Sequence, residues 1–209
     1  MSDAVFEQLG RHKLAPVIAL DDAKQAEPLA EALVAGGLPV AEVTFRTDAA
    51  LESIRIMAQR GDLLVGAGTV LTTRQVDQAQ EAGATFIVSP GFNPKVVRHA
   101  QQAGICVCPG VCTPSDIEQA IEHGLEVVKF FPAEAFGGLA TLKAIAAPYR
   151  QVRFMPTGGI GPDNVRDYLA FDRVVACGGS WMVKPSLYAD GDFAPVRRAA
   201  AEAVALVKQ

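Results

Sequence analysis

Three stretches of the chain follow one pattern, and that pattern constrains the fold more than any other feature. They are AQEAGATFIVSPG (79–91), AQQAGICVCPG (100–110) and AIEHGLEVVKFFP (120–132). Each has an Ala-rich helical tail, a glycine (Gly83, Gly104, Gly124), and then an apolar, β-rich run that ends in proline or glycine. Glycine just past a helix supplies a left-handed C-terminal cap. A period of roughly 20 residues holds one strand and one helix, the unit of a parallel α/β fold. AEALVAGGLPVAEVTF (30–45) is an earlier copy of the same arrangement.

Continued along the chain, the pattern predicts strands at LAPVIAL, PVAEVTF, LLVGAG, TFIVS, ICVCP, EVVKF, VRFMPT and RVVACGG. About eight strands with intervening helices is the count of a (β/α)8 TIM barrel. A doubly wound open sheet would show the same alternation, although no GxGxxG turn follows the first strand. Thr113 with Pro114, and Pro162 in GPDNVRDYL, mark helix starts. The segment before Leu14 is expected to form an extra N-terminal helix closing the bottom of the barrel, and FAPVRRAAAEAVALVK (193–208) the last outer helix. No linker or composition shift divides the chain, so residues 1–209 read as a single domain.

A net charge of −4 with pI ≈ 5.4 argues against nucleic acid as a partner. The opening sequence lacks a signal-peptide core and no apolar run is long enough to span a bilayer, so a cytoplasmic protein with no membrane partner is expected. Cys106, Cys108, Cys112 and Cys177 form no CxxC pair, and His12, His99 and His123 form no cluster. They read as small core residues and solvent-facing side chains, with no metal site.

One residue breaks the apolar rule. Lys129 lies inside LEVVKFFPAE (125–134), and lysine almost never enters an interior without a partner or a task. In a barrel, side chains alternate between the interior and the helix layer, and active sites form at strand C-termini. Alternation puts Glu42, Thr44 and Arg46 on one face of EVTFR. A structural ion pair of Glu42 with Arg46 or with Lys129 is one reading, but such pairs carry a large desolvation cost. The other reading is Schiff-base chemistry. Burial disfavours the ammonium, the neutral amine attacks a carbonyl, and the imine then accepts electrons from an adjacent C–C bond. Glu42 is placed to move the protons, while Arg46 and Thr69 would hold a substrate carboxylate. TGGIGPDN (157–164) and CGGSW (177–181) follow the seventh and eighth strands, where such barrels bind phosphate through backbone N–H groups and helix N-termini. Paired glycines in simple tight turns remain the alternative there.

ALVAGGLPVAEVTFRT, VGAGTVL, EAGATFIVSPGFNP, FFPAEAFGGL, FMPTGGIGPDN and GGSWMV resemble, in order, the 2-keto-3-deoxy-6-phosphogluconate (KDPG) aldolases. The resemblance implies a class I aldolase with no metal and no cofactor, folded as a (β/α)8 barrel and assembled as a homotrimer. Its reaction would release pyruvate and glyceraldehyde 3-phosphate, with 4-hydroxy-2-oxoglutarate as a further substrate. It implies Lys129 as the imine lysine and Glu42 as the acid and base. Arg46 and Thr69 would hold the pyruvate carboxylate, and Pro90 and Phe131 would shape the pocket. Thr157 would meet a substrate hydroxyl or carbonyl, and Gly158, Gly159, Gly178, Gly179 and Ser180 would cradle the phosphate. The carboxylate role of Arg46 rests more on this resemblance than on the residues alone. Two positions depart from the family pattern. Cys112 is expected to be silent beside a helix cap, whereas Phe136 bears on the aldehyde side of the pocket. The galactonate-epimer aldolase, a phosphate-binding barrel isomerase or synthase without an imine, and a non-catalytic sugar-phosphate binder are the competing readings.

Overall fold

The computed structural model describes residues 2–208. Helix α1 (Ser2–His12) precedes β1 (Leu14–Ile18), α2 (Ala26–Ala35), β2 (Val40–Thr44), α3 (Ala50–Arg60) and β3 (Leu64–Gly68). Then come α4 (Thr73–Glu81), β4 (Phe86–Val88), α5 (Pro94–Gln102), β5 (Cys106–Cys108) and β6 (Gly110–Val111). The chain continues with α6 (Pro114–Glu122), β7 (Val127–Phe130), α7 (Gly138–Ala146) and β8 (Arg153–Pro156). It ends in α8 (Val165–Leu169), β9 (Cys177–Gly179) and α9 (Ala194–Lys208).

Local chemistry accounts for the boundaries. Gly83, Gly104 and Gly124 have φ of 95°, 73° and 70°, the left-handed geometry that lets the chain leave a helix. Thr72 and Thr113 cap α4 and α6 through reciprocal bonds with Gln75 and Asp116, and Asn93 caps α5 ahead of Pro94. Pro162 does not open a helix as predicted: α8 starts at Val165. The Asn164 carboxamide instead accepts from Gly161 N and donates to Gly159 O, which holds residues 159–164 in a turn.

The named strands pair in parallel, in two sheets ordered β5-β4-β3-β2-β1-β9 and β6-β7-β8. The predicted strand ICVCP is β5, which stops before Pro109, whose nitrogen has no proton for a ladder; β6, just past it, was not predicted. Isolated parallel bridges, Phe154↔Val174 and Thr157↔Gly178, link the β8 segment to the chain around β9. The fold is therefore α/β with parallel strands. Its ladders run as arcs of six and three strands rather than as one uninterrupted sheet. As expected for strands covered by helices, β2 and β4 are buried throughout. The extra N-terminal helix is present, with Phe6 and Leu9 buried in the core, and α9 packs on α2. No helix among the described residues is long and apolar enough to cross a membrane.

Candidate active site

Lys129 is the third residue of β7 and only 4 % exposed, and Glu42 of β2 is 0 % exposed. The two strands belong to different sheets, yet Lys129 Nζ lies 3.5 Å from Glu42 Oε1, so the pair meets across the interior. Neither Glu42 oxygen has a hydrogen-bond partner among the described residues. A buried carboxylate held only at ion-pair distance is poorly satisfied for a structural element, and it keeps acceptor capacity for another group. Cys108 of β5 shares this interior. Burial and neighbouring Cys106 push its thiol well up, the Lys129 charge opposes that, and Glu42 adds to it.

The neighbours of this pair are shaped to admit it. A Cβ on Gly68 would stand 2.5 Å from Glu42 Oε1, so the carboxyl occupies space that only glycine leaves open. Gly110 is the register partner of Lys129, and a Cβ there would stand 2.1 Å from Pro90 O. Pro90 thus presses its backbone against the strand beside the lysine. Thr69, just past β3, has φ 56°, a strained conformation for a β-branched residue and one that tends to be held at functional positions. Because Thr44 pairs with Gly68, Thr69 stands beside the turn that carries Arg46.

Above the pair, at the C-terminal ends of the strands, lies a cavity of about 390 Å³. Arg46, Phe131, Thr157, Gly158, Gly159, Gly178, Gly179 and Ser180 line it, together with Val17, Ile18, Ala19, Ile160, Val183, Lys184 and Pro185. Lys129, Glu42, Thr69 and Pro90 are not among its walls. Phe131 joins the two regions, since its ring lies 5.0 Å from Lys129 Nζ and also lines the cavity. Thr157 Oγ1 is buried and has no hydrogen-bond partner among the described residues. A second cavity of about 370 Å³, lined by Phe6, Gly104, Gly124 and Arg153 among others, lies at the opposite end of the strands and holds none of the predicted residues. Among the described residues no group of three or more His, Cys, Asp or Glu is placed to hold a metal ion.

A family model described as KDPG and KHG aldolase matches residues 5–199. The chain belongs to that family. It is 52 % identical over 193 residues to the 2-dehydro-3-deoxy-phosphogluconate aldolase of Treponema pallidum, covering 92 % of each chain. Its structure matches the 2-keto-3-deoxy-6-phosphogluconate aldolase of Zymomonas mobilis with a TM-score of 0.91 at 45 % identity, covering 98 % of this chain and 97 % of that one. It also matches the KDPG aldolase of Legionella pneumophila with pyruvate captured as a covalent carbinolamine. There the TM-score is 0.92 at 37 % identity, covering 97 % of this chain and 98 % of that one.

Within this member of the KDPG and KHG aldolase family, some site residues carry no signal in the sequence. The Glu134 carboxylate accepts a hydrogen bond from the Tyr168 hydroxyl. Ala133 N and Glu134 N donate to Thr157 O (2.8 Å) and Gly158 O (3.0 Å), which ties the end of the lysine strand to the glycine loop. Burial and the Glu134 contact push the Tyr168 phenol well up, so it remains a donor. Lys184, a surface lysine between two short 3-10 turns, was also unmarked. Phe136 is 44 % exposed, in the turn that follows the lysine strand. Cys112 lies at the α6 cap, where its N–H donates to Asp116 at 3.1 Å.

Proposed function

We propose that this chain is a class I aldolase cleaving 2-dehydro-3-deoxy-6-phosphogluconate to pyruvate and D-glyceraldehyde 3-phosphate. The observation that carries the reading is the buried Lys129–Glu42 pair, 3.5 Å apart below an open cavity that ends in two glycine loops. Lys129 Nζ attacks the C2 carbonyl to give a carbinolamine, which loses water to form the imine. Glu42 takes the C4 hydroxyl proton as the C3–C4 bond breaks, and the bonding electrons move into the imine as an enamine. The aldehyde leaves, C3 regains a proton, and water releases pyruvate from Lys129. Arg46 and Thr69 hold the C1 carboxylate; Pro90 and Phe131 confine the reacting carbons; Thr157 meets the substrate hydroxyl region. Gly158, Gly159, Gly178, Gly179 and Ser180 receive the phosphate. The likeness to a family member holding pyruvate as a carbinolamine supports the covalent step.

The same reading takes residues 1–209 as one (β/α)8 barrel, with β5 and β6 counted as one strand and closure supported by the Thr157↔Gly178 bridge. It extends to a cytoplasmic location, and to a homotrimer and turnover of 4-hydroxy-2-oxoglutarate, the last two carried by the family resemblance.

The test is intact mass and peptide mapping after incubation with pyruvate and sodium borohydride. A pyruvyl adduct on Lys129, lost in a folded Lys129→Ala variant together with turnover, is expected. A folded protein that traps nothing would overturn the aldolase reading in favour of a barrel isomerase. Turnover of the gluconate substrate beside its galactonate epimer separates the two imine-forming alternatives.

A further inference from the structure

The glycine loops present neutral donors, whereas a phosphate monoester at neutral pH carries close to two negative charges. The sequence suggested that a helix N-terminus after the first loop would supply the compensating field. The structure gives that helix, α8, only five residues, starting at Val165, so little dipole stands there. A cation in the cavity wall would supply the charge that this short helix does not. Arg46 and Lys184 are the two basic residues that line the cavity, and no carboxylate among the described residues pairs with either.

These two cations stand apart. Arg46 follows β2, Lys184 follows β9, and β1 lies between those strands. The two therefore enter the cavity wall from different strands, not from one loop. That arrangement suits one molecule with an anion at each end, a carboxylate at Arg46 and a phosphate at the β8 and β9 loops. The Lys184 backbone is anchored while its side chain is exposed. Met182 and Val183 before it are buried, Leu187 N donates to Lys184 O at 2.9 Å, and Pro185 follows it in the cavity wall.

We propose that Lys184 is the phosphate-recognising cation of this site, and that it makes the enzyme prefer phosphorylated keto acids over unphosphorylated ones. This rests on the aldolase reading for the identity of the substrate, but not for the anion site itself. Lysine serves as a point charge on phosphate, and a charge-assisted contact at an exposed position contributes about tenfold in binding.

The experiment compares the wild type with Lys184→Met and Lys184→Arg. The first readout is the ratio of kcat/KM for the phosphorylated substrate to that for 4-hydroxy-2-oxoglutarate. The second is calorimetric affinity for inorganic phosphate. The ratio and the phosphate affinity should each fall about tenfold in Lys184→Met and be largely restored in Lys184→Arg. An unaltered ratio and affinity, or equal losses on both substrates, would overturn the proposal. The phosphate titration does not depend on imine formation. An untrappable Lys129 with Lys184-dependent phosphate binding would sink the aldolase reading and leave the anion site standing.

Discussion

Replacing Gly68 by alanine adds one methyl group at the point where the site has least room. The new Cβ would stand 2.5 Å from Glu42 Oε1, 2.9 Å from Glu42 Cγ and 3.0 Å from Thr44 Cγ2. Gly68 has no left-handed φ, so alanine is compatible with the backbone and only the contact is altered. Restoring ordinary van der Waals separation requires the carboxyl to retreat by about 1 Å. A misplacement of that size costs on the order of 100-fold in rate, about 2.7 kcal/mol of barrier. Overpacking should also lower stability by about 1–3 kcal/mol. The assay that isolates Glu42 is deuterium exchange into the methyl group of pyruvate, followed by NMR, because it needs the imine and a proton carrier but no aldehyde. Gly68→Ala should still be trapped on Lys129 by borohydride at long incubation, while exchange and turnover both fall about 100-fold. Exchange within about threefold of the wild type, in folded protein, would refute the assignment of Glu42 as the proton carrier.

Two further outcomes follow from the geometry. Asp116 accepts from Cys112 N (3.1 Å), Thr113 N (3.0 Å) and Thr113 Oγ1 (2.8 Å). Burial opposes ionisation there, but those bonds prevail and hold the carboxyl below its ordinary value of 3.8. A depressed carboxyl stabilises the fold above the unfolded-state value, and the contribution is lost as pH falls through the folded-state one. Asp116→Ala should therefore cost about 1 kcal/mol near neutrality in urea titrations, and the difference from the wild type should shrink below about pH 4. A Cβ on Gly179 would stand 2.0 Å from the ring of Trp181, the only tryptophan of the chain. Gly179→Ala should shift the intrinsic emission to the red and destabilise by about 1–3 kcal/mol, and an unmoved spectrum would show that the ring does not pack there.

Much of the architecture was legible because it is local. The glycines after α4, α5 and α6, the capping threonines and the largely apolar strands report their conformation through neighbours only a few positions away. Lys129 was legible for the opposite reason, since it contradicts the apolar run around it, and Glu42 through the alternation of EVTFR. The short β6 beyond Pro109 was not read, because Gly110 and Val111 become a strand only through their pairing with β7. Pro162 misled because a proline that fits the first helical turn also fits a turn, and Asn164 chose between them through bonds to Gly159 and Gly161. The bond between Glu134 and Tyr168 joins residues 34 positions apart, and no periodicity carries such a contact. Lys184 is an ordinary surface lysine in sequence. Its place in the cavity wall emerges only from the fold.

The two glycine pairs, alike in sequence, are glycine for different physical reasons. Gly158 and Gly159 have φ of 102° and 78°, so any side chain there strains the backbone itself. Gly178 and Gly179 have no such φ. Their missing Cβ atoms instead make room for Thr157 Oγ1, 2.3 Å from where one would stand on Gly178, and for the Trp181 ring beside Gly179. The first loop therefore sets the direction of its N–H groups through backbone conformation, with Glu134 packed against Gly159 as a brace. The second sets the position of two side chains through close approach. Alanine in the first loop should disturb phosphate affinity directly. In the second it should act through Thr157 and Trp181, and those side chains can yield only as far as their own packing allows. The two loops differ in tolerance because the first is limited by torsion, with contact added at Gly159, and the second by contact alone.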